Sequence, residues 1–83
     1  MQIKVYGPGC ERHHRLLKNV RIAIAELNID AEVIEINKIE QIAEAGFSNM
    51  PGLTIDDEPV IVGQVLSIDE LKIIIWRYRR LAG

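Results

Sequence analysis

The strongest constraint on this 83-residue chain is a change of period close to its start. Gln2–Tyr6 alternates, with Ile3 and Val5 on one side and Lys4 on the other, as a strand does. The run Gly7-Pro8-Gly9-Cys10 then breaks the alternation. From about 11 to 27 the apolar residues Leu16, Val20, Ala23, Ile24 and Leu27 recur at helical spacing and make one core-facing stripe. A strand that passes through a glycine–proline turn into an amphipathic helix is the first half of a βαβ unit. Lys4 implies that the other side of the sheet is incompletely covered.

The second half follows. Ala31–Ile36 reads as a strand, and the helical crossover before it requires parallel pairing with the first. Ile39–Ala45 reads as a short helix that stops at Gly46, which suits a left-handed terminal position. Leu53–Ile55 and Val60–Val62 are short β-branched runs. Asp56-Asp57-Glu58 reads as the turn between them, and Pro59 is tolerable at a strand's start. Ser67-Ile68-Asp69-Glu70 is a capping box, which opens a last helix whose buried stripe is Ile68, Leu71, Ile75 and Tyr78, with Ile74 beside it. The order is βαβαββα, with two helices on one sheet face and the short middle helix on the other.

Composition narrows the function classes. The chain is short enough to read as one domain over 1–83, and 48% apolar residues suffice for a core without disulfide or metal. A net charge of -2 with interspersed signs excludes a nucleic-acid footprint across the domain. No apolar run is long enough to span a membrane, and the first residues lack the pattern of a secretory leader. Cys10 is the only cysteine, so no internal disulfide can form, and a single thiol fits a reducing cytoplasm.

Cys10 opens a helix where a redox-active Cys-x-x-Cys pair would sit, but His13 holds the second position. A helix N-terminus presents free amides and the positive end of the macrodipole, which favour thiolate over thiol. At about 100° per residue, His13 turns toward the buried edge and His14 flanks the thiol toward solvent. As neighbours at i,i+3 and i,i+4, both can approach the sulfur.

The strand–turn–helix start, Tyr6-Gly7-Pro8-Gly9-Cys10, Met50-Pro51-Gly52-Leu53 and Gly63 together resemble the thioredoxin/glutaredoxin superfamily. More narrowly, the chain resembles the small thioredoxin-like "redox-active disulfide protein 2" group. The resemblance implies a thioredoxin-like α/β fold with a four-stranded mixed sheet in the order 4-3-1-2. It implies that Cys10 is the active-site cysteine and Pro51 the cis-proline. The backbone of Met50, with Gly9, would then lie along an extended substrate. The family's second cysteine does not carry over, because His13 stands there.

Three functions fit these residues. In the first, Cys10 acts alone in thiol–disulfide exchange with a protein or low-molecular-weight thiol or disulfide, and His13 tunes the thiolate or donates a proton. No cofactor is implied, and the state is a monomer or weak homodimer. In the second, Cys10, His13 and His14 bind Zn(II) or Cu(I), with Met50 adding a thioether and a dimer completing the set. In the third, the domain is a redox-inactive binding module that presents Ile73, Trp76, Arg77 and Arg80 from the outer side of the last helix. Plainer roles stand beside these: His13 packing at the helix start, His14 solvated, Pro51 in an ordinary loop, Met50 filling core, Trp76 covering a sheet edge.

Overall fold

The computed structural model describes residues 1–82. Its elements are β1 (Gln2–Tyr6), α1 (Glu11–Leu27), β2 (Glu32–Ile36), α2 (Ile39–Ala45), β3 (Gly52–Ile55), β4 (Glu58–Val62) and α3 (Ile68–Ala82). The sheet order is β2-β1-β3-β4. β1 runs parallel to β2 and antiparallel to β3, and β3 is antiparallel to β4. This is the expected mixed α/β architecture of a thioredoxin-like fold.

The register decides which side chains share a face. Ile3 pairs with Ile55 and Val5 with Leu53, and all four are fully buried. They meet Leu16, Leu17, Val20 and Ala23 of α1 and Leu71 and Ile75 of α3 in one apolar cluster. Ile24 and Leu27, expected in the α1 stripe, and Ile68, Ile74 and Tyr78 of α3 pack on its margin, half-buried. The opposite face is thinner. Lys4, Tyr6 and Ile36 line a shallow depression with Gln41, Glu44 and Ala45 of α2, a helix with no buried residue. Lys4 reaches across this face to the Asp57 carboxylate at 2.9 Å.

Local chemistry sets the boundaries. The α3 capping box forms reciprocally: the Glu70 amide donates to Ser67 Oγ (3.2 Å), and the Ser67 amide donates to Glu70 Oε1 (3.1 Å). Asn28 and Gly46 end α1 and α2 in the left-handed conformation. The β3–β4 turn is tighter than the sequence suggests. Asp56 and Asp57 both have positive φ, and Glu58 already belongs to β4. Two successive left-handed residues are what a two-residue hairpin requires. Pro59 sits beside a register irregularity between Leu53 and Thr54. A proline lacks the amide a regular ladder needs, so it belongs at such a place.

Candidate active site at the start of α1

Cys10 is the N-cap of α1, so it precedes the first helical turn instead of lying on it. Its backbone is extended and its carbonyl accepts the His14 amide at 3.1 Å. The side chain makes no capping hydrogen bond, and the free thiol is exposed. The turn before it is built from Gly9 at φ +88°, a left-handed conformation that glycine adopts without penalty.

His13 follows three residues on and is fully buried. Its Nδ1 accepts the Gly9 amide at 3.0 Å. Its Nε2 lies 3.5 Å from Glu35 Oε2 on β2 and has no hydrogen-bond partner. Both ring nitrogens therefore face groups other than the sulfur, and the expected direct approach of His13 to Cys10 becomes a link through the backbone of the turn. Burial, above all, lowers the His13 pKa, with the Glu35 carboxylate pulling the other way and His14 adding to the decrease. A ring that accepts at Nδ1 and is held neutral carries its proton on Nε2. His14 is exposed and stacks on His13 with ring centroids 5.6 Å apart.

A second chain of contacts ties this turn to the loop before β3. Arg12 Nη2 donates to the Gly63 carbonyl at 2.7 Å, and the Gly63 amide donates to the Pro51 carbonyl at 2.8 Å. The Met50–Pro51 peptide bond is cis. Pro51 is buried and Met50 half-buried. Gly63 has φ +74°, and a side chain there would press on Asn49 at 2.8 Å. The first turn of α1 and the Met50–Pro51 loop are thus held together through one glycine.

The chain belongs to the thioredoxin domain family. The family described as "Thioredoxin domain" matches residues 1–75, which takes in every strand and most of α3. A curated relative named thioredoxin, from Methanothermobacter thermautotrophicus, is 47% identical over 72 residues, covering 87% of this chain and 94% of its own length. Another thioredoxin, from Methanocaldococcus jannaschii, is 37% identical over 70 residues, covering 84% and 80%. Membership in this family supports thiol–disulfide redox chemistry in general. Within this thioredoxin domain the thiol is that of Cys10.

Other expectations separate here. Among the described residues no three His, Cys, Asp or Glu side chains converge as a metal site would need. No helix among the described residues is long and apolar enough to cross a membrane. Trp76 is 43% and Ile73 55% exposed, so both lie on the outer side of α3, with the Arg79 guanidinium 5.3 Å from the Trp76 ring centroid. Sequence reasoning missed Glu35 and the Arg12–Gly63 link. The signal for Glu35 was present. It shares parity with Val33, so a carboxylate stands where β2 faces α1.

Proposed function

We propose that this thioredoxin-family domain performs thiol–disulfide exchange through Cys10 alone, a departure from the two-cysteine site that the narrower "redox-active disulfide protein 2" resemblance implies, because His13 stands in place of the second cysteine. The observation that carries the reading is an exposed, uncapped thiol at the N-cap of α1, with a buried histidine where a second sulfur would resolve the adduct. The Cys10 thiolate attacks one sulfur of a disulfide, a Cys10–S–S–R bond forms, and the other sulfur leaves as thiolate and takes up a proton. An external low-molecular-weight thiolate then attacks the R sulfur of the mixed disulfide, forms a new disulfide with R and releases Cys10 as thiolate. His13 acts on the thiol through the turn, and Gly9 with the Met50–Pro51 backbone receives the chain that bears the target disulfide. No cofactor takes part. A reducing compartment such as the cytoplasm would supply the resolving thiol.

Intact-mass analysis after incubation with a peptide disulfide tests this. One adduct per chain is expected, absent in Cys10→Ser and released by excess small thiol. An adduct that forms but resists thiol, or none at all, removes the exchange reading.

The outer side of α3 supports a second reading, a redox-inactive protein-binding module. Ile73, Trp76 and Leu81 are exposed, and Arg77, Arg80 and Leu81 line a surface depression of about 400 Å³. Trp and Arg together are the composition of an interface anchor. Sedimentation across concentration, with and without Trp76→Ala, separates a weak homodimer from a monomer that binds through this surface.

A further inference from the structure

Glu35 is the charged side chain that neither packing nor the exchange chemistry explains. It pairs with Val5 in the β1–β2 ladder and therefore shares the face of the sheet that meets α1. Its side chain is 32% exposed, and its Oε2 lies 3.5 Å from Nε2 of a histidine with no exposure at all. That separation is too long for a full hydrogen bond, so the carboxylate acts on the Nε2 proton mainly as an oriented charge.

The ring has three forms, and the surroundings accept one. With the proton on Nε2, Nδ1 accepts the Gly9 amide and the N–H dipole points at the carboxylate. With the proton on Nδ1, two N–H groups oppose each other at 3.0 Å and the Nε2 lone pair faces the negative charge. The doubly protonated ring satisfies Glu35 but again opposes the Gly9 amide. The groups that bear on the ring are Glu35 from β2, the Val5 backbone from β1 and His14 on its own helix. Of these, Glu35 alone carries a negative charge toward the Nε2 proton; the Val5 backbone adds a neutral acceptor, and the Gly9 amide on Nδ1 favours the same tautomer.

We propose that Glu35 is a positioning residue for Cys10: it holds the His13 proton on Nε2, which keeps Nδ1 free to accept the Gly9 amide and fixes the turn from which the thiol projects. This rests on the reading of Cys10 as the reacting group. The ring and amide measurements below do not depend on that chemistry.

The test compares Glu35→Val, which removes charge and acceptor on a β-compatible side chain, with Glu35→Gln, which removes the charge but keeps a carbonyl acceptor. At about pH 8, where histidine is ordinarily neutral, three quantities are read. They are the His13 tautomer from nitrogen-15 shifts, the Gly9 amide exchange rate, and the rate of adduct formation with a peptide disulfide. The expected result for Glu35→Val is a mixture of tautomers, Gly9 exchange faster by about fivefold and adduct formation slower by a similar factor, as for loss of one hydrogen bond. Glu35→Gln, which keeps the carbonyl dipole but loses the charge, should shift all three in the same direction as Glu35→Val and by less. A native tautomer and a protected Gly9 amide in Glu35→Val would overturn the proposal. So would a shifted tautomer with an unaltered adduct rate. Failure of the exchange reading itself shows separately, as no adduct in the native protein.

Discussion

The His13 ring packs against Gly7 so closely that a Cβ at Gly7 would lie 2.5 Å from the ring's Cγ. The buried histidine thus fixes the identity of a residue six positions earlier. Gly9 is glycine for a different reason: a Cβ there would meet nothing within 4 Å, but its φ is +88°. The two positions should respond oppositely to asparagine. At Gly7, alanine is expected to cost about 1–3 kcal/mol through overpacking, and asparagine more. At Gly9, alanine should cost about 1–2 kcal/mol for the left-handed backbone, and asparagine less. Urea unfolding of the four variants checks the crossing; parallel behaviour at both sites would refute it.

Stability should fall in mild acid through His13. Its pKa is lowered in the folded protein, so the unfolded chain binds the proton more readily. The neutral-ring contribution is complete above the ordinary histidine value of about 6.5. It is lost as pH drops through that value and levels off below the lowered folded one. Melting temperature from about pH 8 to 5 should decline in the native protein more than in His13→Gln, which carries no titrating ring. Equal slopes would show that other groups govern the decline.

Removing Arg12 should loosen the loop before β3 more than it unfolds the protein. Its donor reaches the Gly63 carbonyl on the surface, so Arg12→Ala is expected to cost about 1 kcal/mol or less overall. The Gly63 amide, bonded to Pro51, should exchange several-fold faster while amides in the centre of β3 stay protected. Unchanged Gly63 exchange would mean that Arg12 carries no part of the link.

His13→Cys should convert the site. It places a second thiol at a fully buried position three residues after Cys10 and deletes the Gly9 acceptor. Lower thermal stability is expected together with the appearance of insulin-reducing activity under excess small dithiol. A folded variant without that activity would show that the scaffold is not a latent dithiol reductase.

Loss of the capping box is a check on local sequence logic. Ser67→Ala removes the acceptor for the Glu70 amide and should cost about 1 kcal/mol, with Glu70→Ala smaller. Chemical denaturation of both variants measures it.

Much of this architecture was legible from periodicity. The stripe Leu16–Val20–Ala23 and the Ser67–Glu70 cap are written in residues at most a few turns apart, and local patterns of that kind survive folding unchanged. Cys10 at the helix start and the inward turn of His13 follow from the same local geometry. Tertiary structure decided what those residues touch. Glu35 stands 22 positions after His13 in sequence, and only parallel pairing of β2 with β1 brings the carboxylate to the ring. Arg12 and Gly63 meet because β4 returns beside β3 at the end of the sheet where α1 begins. The elements, their order and the lone thiol depend on neighbours along the chain and so can be read from the residues directly. The neutral state of His13, the bond that holds Gly9 and the tie to Pro51 depend on burial and register, which exist only once the sheet has formed.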